Sequence, residues 1–308
     1  MPARLFLSSG DLIADRRYEF ARDLQLKGDL VAAADLLEQA IELAPAFVSA
    51  WFTLGEIRQQ LGERDAAIVA FRKAWEADGS DPHGASLKLM RLGAEQLSAM
   101  PPAYVRTLFD QYAPRFDRAL IDDLGYRGPS VLFKAVLSAR HAVKKPAFFK
   151  RAIDLGCGTG LAAAGFAKEV DHFIGIDLSS GMIEKAKATG LYAELEVNDM
   201  LEGLRVRPDS SADLVLAADA MVYVPDLVPV LAEIRRVLAA GGLVAFTLER
   251  HPGDGVILGE GLRYAHSAHY VRNSLMAARL TLSQLEEQSF RNENNMPVPG
   301  LVVVAAKS

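Results

Sequence analysis

Residues 152–160 read AIDLGCGTG, a short apolar run that ends in three alternating glycines, Gly156, Gly158 and Gly160. Such a run is expected to be a buried strand. Glycines directly after it let the backbone turn tightly and bring a ligand against the main chain. A helix near 160–168 should follow, with the partial positive charge of its N-terminus facing the turn. The next run, HFIGIDL (172–178), ends near Asp177, placed to accept from both hydroxyls of a ribose.

Outward from this stretch, the runs AELEV (193–197), ADLVLAAD (212–219) and LVAFTLE (243–249) are interleaved with helical periodicity near 180–188, 228–238 and 268–279. Strands alternating with helices predict an α/β fold, a Rossmann-like doubly wound parallel sheet with helices on both faces. After the fifth run the rhythm changes. A strand near 281–290, the polar loop RNENNMPVP and a last run LVVVAA (301–306) follow, and two strands joined by a loop should pair antiparallel.

Two features separate the glycine turn from a dinucleotide fingerprint. Leu161 stands where the third glycine of that pattern would be. Asp154 precedes the glycines by two residues, where a carboxylate would repel a pyrophosphate but suit a ligand with a cationic centre and an ammonium group. S-adenosylmethionine is such a ligand. Over residues 105–308 the sequence resembles the class I S-adenosylmethionine-dependent methyltransferases. The matching pieces are IDLGCGTG, GIDLSSGMIEKAK, Asn198-Asp199-Met200, LVLAADAMVYV and the closing strands, in that order. FDQYAPRFD (109–117) looks like the family's N-terminal lid.

The resemblance implies S-adenosyl-L-methionine as cofactor. Gly156, Gly158 and Gly160 would face its methionine part, with Asp154 toward the ammonium group and Asp177 on the ribose. Met182 or Leu178 would flank the adenine, while Asp199, with the Met200 backbone alongside, would accept from its amino group. Ala218 and Asp219 would line the methyl-transfer side, and Tyr112 would close over the donor. Tyr223 stands where many relatives have the histidine of an acid–histidine pair, and Val222 replaces the acid. A base is therefore sought among Tyr112, Asp219, Tyr223, His251, Tyr264 and His266. Asp219, read as a solvated carboxylate, is a weak base for an alcohol, and His266 or Tyr223 is expected to orient or deprotonate the acceptor. His266 lies in a compact Arg263-Tyr264-Ala265-His266-Ser267 cluster. Cys157 reads as a small buried filler, and Asp117, Asp122 and Asp123 as a solvated helical face. His251 and His269 read as packing or surface residues. No metal site is expected.

The N-terminal third repeats itself at a shift of 34, residues 17–44 on 51–78, with Gly28 on Gly62, Ala33 on Ala67, Leu37 on Phe71 and Ala40 on Ala74. Trp51, Leu54, Gly55, Gly62, Ala67, Phe71 and Ala74 resemble the tetratricopeptide repeat, in which small residues facing large ones let antiparallel helices approach. GASLKLMRLGAEQL (84–97) reads as one capping helix. Two repeats are fewer than the three usually needed for independent stability, so packing on the second domain or on another copy of the chain is expected. The predicted domains are 1–100, a tetratricopeptide-repeat helical domain, and 104–308, the methyltransferase domain, divided at Met100-Pro101-Pro102. As a whole the chain resembles the bacterial tetratricopeptide-containing methyltransferases.

The 308 residues carry 34 basic and 39 acidic groups, which argues against affinity built on phosphate neutralisation, so no nucleic-acid partner is expected. One cysteine excludes an intramolecular disulfide. No signal segment and no apolar stretch of membrane-spanning length is evident, so a cytoplasmic location and no membrane partner are expected. The expected partners are a small-molecule or protein methyl acceptor, a protein held in the repeat groove, and a second copy of the chain. Two other classes stay open on the residues alone: a cofactor-binding assembly protein without turnover, and an NAD(P)-dependent oxidoreductase.

Overall fold

Glycine and aspartate punctuate the helices of the first third. In the computed structural model, which describes residues 5–116, 125–293 and 295–308, the chain divides into two units at Thr107/Leu108. The first contains α1 (Leu12–Lys27), α2 (Leu30–Leu43), α3 (Val48–Gln60), α4 (Arg64–Ala77) and α5 (Ala85–Arg91). Asp11 caps α1 by accepting from the N–H groups of Ile13 and Ala14. Gly62, at φ +80°, makes the turn between α3 and α4. A Cβ at Gly55 would lie 2.6 Å from the Phe71 ring, so α3 and α4 lie this close only because that position is glycine.

One expectation in this third changes. Residues 84–97 are not one helix, because α5 stops at Arg91 and Gly93 adopts φ +67° behind it. Residues 96–101, Pro101 included, form a non-helical connector, but it ends between the two prolines. Pro102 opens α6 (Pro102–Tyr112), the helix position where its missing N–H costs nothing. The division between the units falls inside this helix.

In the second unit, α7 (Gly128–Ala142) precedes β1 (Phe149–Leu155), α8 (Leu161–Phe166), β2 (Val170–Asp177), α9 (Ser180–Ala188), β3 (Tyr192–Val197), α10 (Met200–Arg205) and β4 (Ala212–Ala217). Then come α11 (Leu227–Val237), β5 (Leu238–Arg250), β6 (Val256–Leu258), β7 (Tyr264–His266), α12 (Ala268–Ala277) and β8 (Thr281–Glu287). A small hairpin of β9 (Asn292–Glu293) and β10 (Met296–Pro297) leads to β11 (Gly300–Ala306). The main sheet has the order β3-β2-β1-β4-β5-β11-β8, parallel from β3 to β5, with β11 antiparallel to both neighbours. It is the doubly wound sheet with antiparallel closing strands that the alternation predicts.

Successive residues of a strand point to opposite faces, and the core follows that rule. Ile153, Leu155 and Val215 enter one apolar layer, Ala152, Leu214 and Leu216 the other. The strand order reverses between β1 and β4, and in such sheets the crevice outside the strand C-termini at that point is where ligands bind. The sequence reading lacks α7, α10, β6 and β7. The last matters here, because β7 pairs in parallel with the end of β5 and brings His266 opposite Arg250. None of the described helices is long and apolar enough to cross a membrane.

Candidate active site

The turn after β1 is held on the end of β2. Gly156 and Cys157 both donate their N–H groups to the Ile176 carbonyl, at 2.8 and 3.1 Å. Gly156, Gly158 and Gly160 all have positive φ, +63°, +54° and +96°. A Cβ at Gly156 would lie 2.5 Å from that of Ala220, so the turn lies against the end of β4. Asp177 fastens the turn from the other side. One carboxylate oxygen accepts from Gly158 N–H and the other from Ser179 N–H, each at 2.9 Å. Burial pushes the Asp177 carboxyl up, these two donors pull it down, and Asp110 opposes its charge.

Asp154 is fully buried beneath this turn. Its Oδ2 accepts from the Tyr192 hydroxyl at 2.7 Å, while its Oδ1 has no hydrogen-bond partner among the described residues. Burial raises this carboxyl to about 7, against the hydrogen bond from Tyr192. Cys157 is also buried, and burial with Asp154 nearby drives its thiol far up, so it is no nucleophile.

The expected lid segment, described as far as Phe116, lies at the same place. Asp110 Oδ1 accepts from the Ser179 hydroxyl at 2.5 Å and from Gly181 N–H at 3.2 Å. Phe109 packs edge-on to Tyr223 and to Phe116, and the Phe116 ring lies 3.6 Å from where a Gly158 Cβ would be. Tyr112 is half-buried at the end of α6. Asp117, Asp122 and Asp123 lie outside the described residues. At the β3 end, Asp199 caps α10 through Oδ1, accepting from Leu201 and Glu202 N–H, with Met200 beginning that helix. Leu178 is half-exposed beside Asp177, whereas Met182 is fully buried.

The β4 end is dominated by paired charges. Asp219 follows Ala218 in the left-handed region, φ +57°, and its N–H donates to Thr247 Oγ1. Arg291, only 2% exposed, donates one Nη to both Asp219 oxygens at 2.9 and 3.0 Å and the other to Glu249. Arg263 donates its Nε to Glu249 at 2.5 Å and an Nη to Glu293. Asp219 therefore faces the site already paired, not as a solvated carboxylate. Burial raises its carboxyl, opposed by Arg291 and Arg263.

Tyr223 sits half-buried on the one-turn 3-10 helix Met221–Tyr223, its phenol pushed to about 12 by burial despite Arg263. His266 is 0% exposed. Its Nε2 bonds the Val224 carbonyl at 2.9 Å, and burial lowers it to about 4. An imidazole bonded to a carbonyl must donate, which leaves the lone pair on Nδ1, an atom without a partner among the described residues. His251 is consumed by its own loop, with one ring nitrogen on the Gly255 carbonyl and the other receiving Gly253 N–H. His269 bonds Asn273 on an exposed helix face, and Tyr264 is buried. Thus the structure gathers Asp154, the three glycines, Asp177 and the lid around one turn, and Asp219 with Arg291, Arg263 and Glu249 around the β4 end. Asp110, Tyr192, Arg291 and Glu249 escape the sequence reading. A lone tyrosine opening a strand and an arginine in a polar loop carry no local signal. Asp110 lies within the lid motif and was the one open to recognition.

A methyltransferase-domain family model matches residues 152–242, and a tetratricopeptide-repeat model matches 24–89. The chain carries a class I methyltransferase domain behind tetratricopeptide repeats. The "Probable methyltransferase ltbC" of Aspergillus luteorubrus is 36% identical over 116 residues, covering 32% of this chain and 40% of that protein. Methyltransferase-like protein 27 of Homo sapiens is 32% identical over 169 residues, covering 53% of this chain and 66% of its own. The chain therefore spans only part of the curated relatives it matches. Among solved structures, an S-adenosylmethionine-dependent methyltransferase of Methanosarcina mazei superposes with a TM-score of 0.44 at 19% identity, over 53% of this chain and 93% of that one. Among the described residues of the methyltransferase domain and the repeats, no cluster of three or more His, Cys, Asp or Glu could hold a metal ion.

Proposed function

We propose that this chain transfers the methyl group of S-adenosylmethionine to an acceptor held at the ends of β4 and β5. The observation that carries this reading is the positive-φ glycine turn set over Asp154, a buried carboxylate with one oxygen unpartnered among the described residues. A cationic ammonium group satisfies such an oxygen, and a phosphate does not. The cofactor supplies a methyl group on a sulfonium, whose leaving group is good enough that no covalent enzyme intermediate is required.

Gly156, Gly158 and Gly160 would hold its methionine part, Asp154 its ammonium and Asp177 its ribose. Leu178, more exposed than Met182, would flank the adenine, with Asp199 and the Met200 backbone at its amino group. Tyr112 closes over this site, and Ala218 and Asp219 border the acceptor. Tyr223, protonated at neutral pH, orients the acceptor by hydrogen bonding. His266 is a positioning residue, because it acts through Val224 on the turn that carries Tyr223. With Asp219 and Glu249 already paired to arginines, in-line positioning carries the catalysis, an effect that reaches roughly 7–11 kcal/mol in favourable systems. The acceptor is a small molecule or a protein, and the repeats recruit a protein partner.

Thermal unfolding with S-adenosylmethionine, S-adenosylhomocysteine and NAD(P) tests the cofactor, since a ligand of the folded state raises Tm by mass action. Stabilisation by the first two alone is expected. Stabilisation by NAD(P) alone overturns the reading. Tritium transfer from labelled donor into a cell extract, fractionated by size, then separates small from protein acceptors. Donor binding without transfer would favour the assembly protein.

A further inference from the structure

Positions 15, 49 and 83 are spaced by 34 residues, the period of the repeat, and they carry Asp15 in α1, Ser49 in α3 and His83 just before α5. The non-helical segment before α1 visits all three in turn. Ser9 donates its N–H and its hydroxyl to Asp15 Oδ1 at 2.8 and 2.7 Å, and Ser8 donates to Oδ2. Two residues back, Leu7 N–H donates to Ser49 Oγ at 2.9 Å, and the Leu7 carbonyl accepts from the same hydroxyl at 3.2 Å. Ser49 Oγ also lies 3.1 Å from His83 Nε2, and two further residues back the Leu5 backbone favours the charged form of that buried ring. Between these polar contacts the Phe6 ring stacks 5.3 Å from Tyr18 and 6.2 Å from Phe47. Every second residue of the segment thus meets one repeat.

Three points mark this as a surface built for a ligand rather than a packed end of the chain. Ser49 is fully buried and His83 nearly so, yet Phe6, Leu7 and Ser8 of the covering segment stay exposed. His83 lies buried under the segment, its Nε2 on Ser49 Oγ and the Leu5 backbone beside its ring. Leu7 is read only through its main chain, which any residue but proline supplies. We propose that the Asp15–Ser49–His83 ladder is a docking track for a non-helical peptide segment of a partner protein, and that residues 5–9 of this chain are its intramolecular occupant. The partner segment carries a large apolar side chain in place of Phe6 and small hydroxyl residues in place of Ser8 and Ser9. It carries no acidic residue facing Asp15. The track lies in the first unit, and its occupancy does not depend on methyl transfer.

A tethered segment acts at an effective concentration on the order of millimolar, so a free peptide competes poorly until the tethered one is disabled. The probe is a fluorescein-labelled peptide of residues 3–10, ARLFLSSG. Its anisotropy is followed with the native full chain and with the full chain carrying Phe6→Asp and Leu7→Pro. The double variant should bind the peptide at least about tenfold more tightly than the native chain. Adding Ser49→Ala should weaken that binding several-fold. A double variant with native circular dichroism that does not bind the peptide, or one that binds it no better than the native chain, overturns the proposal. A second measurement needs no variant. Excess unlabelled peptide should speed hydrogen exchange at residues 5–9 of the native chain, and an unchanged rate at several-millimolar peptide also overturns it.

Discussion

Asp154 lies two residues before the glycine turn and Asp177 is hydrogen-bonded to it, yet they answer to different physics. Asp177 has each oxygen on a backbone N–H and a remaining lone pair on each for a ribose hydroxyl. Replacing it with Ala removes charge-assisted contacts to that ribose, a loss of about 2–4 kcal/mol, or roughly 30- to 1,000-fold in affinity. Calorimetry with S-adenosylhomocysteine should show that loss, and Asp177→Asn, which keeps one acceptor, should recover part of it. Unchanged affinity in Asp177→Ala would remove the ribose assignment. Asp154 makes a prediction about pH. Its carboxyl titrates at about 7 when folded and near 3.8 when unfolded. Between those values the unfolded chain has released its proton and the folded chain has not, so this group's contribution to stability falls as pH rises from about 4 to about 7 and is level above. Asp154→Asn cannot ionise, so its Tm relative to the native chain should climb between pH 5 and pH 7. An ammonium ligand favours the ionised acid, so S-adenosylhomocysteine affinity should rise from pH 6 to pH 8 in the native chain and stay flat in Asp154→Asn. The identities of both acids were legible because each lies at a fixed distance from a glycine motif. The partners that tune them, Tyr192 and Asp110, come from other elements and no spacing announces them.

At the scale of elements, the strands and their order are the most legible feature, because apolar runs bounded by turn residues mark a buried parallel sheet. What escaped is what tertiary contact creates. β6 and β7 are three residues each and exist by pairing with each other and with the end of β5. The loop expected at 291–299 contains a two-residue hairpin and starts at Arg291, which ties the end of β4 to β5 through Asp219 and Glu249. His266 looked available from its polar neighbours, but its place in β7 encloses it. Arg291 also supplies the prediction at this scale. Arg291→Met would remove the buried cation that Asp219 and Glu249 share, leaving the half-buried Asp219 unpaired while Glu249 keeps Arg263. A loss of about 3 kcal/mol is therefore expected, the low end for breaking a buried pair. Denaturant titration should show that loss, while Arg291→Lys, a point charge in place of a planar fork, should restore only part of it. A loss below about 1 kcal/mol in Arg291→Met would mean that the two carboxylates are carried protonated rather than paired.

For the molecule as a whole, the repeat period and the methyltransferase motifs were each legible, and the contact division at Thr107/Leu108 falls a few residues beyond the proline pair. The connector that two prolines suggested ends between them, because proline at the first position of a helix is compatible with the helix going on, and α6 does so through Thr107 into Leu108. A cut placed by composition would therefore need to respect that helix. The polar contacts found around the glycine turn run from Asp110 to Ser179 and Gly181, all within the second unit. A fragment of residues 102–308 keeps α6 and Asp110. Its affinity for S-adenosylhomocysteine should match that of the full chain within about threefold, the spread expected of independent parts. A fragment beginning at Gly125 loses Asp110, exposes Ser179 and Gly181, and should bind at least about tenfold more weakly, since two hydrogen bonds to a charged group are gone. Calorimetry on both fragments, with circular dichroism to establish that each is folded, makes the comparison. If the 102–308 fragment folds and fails to bind while the full chain binds, the repeats help to build the cofactor site and the recruitment role assigned to them gives way.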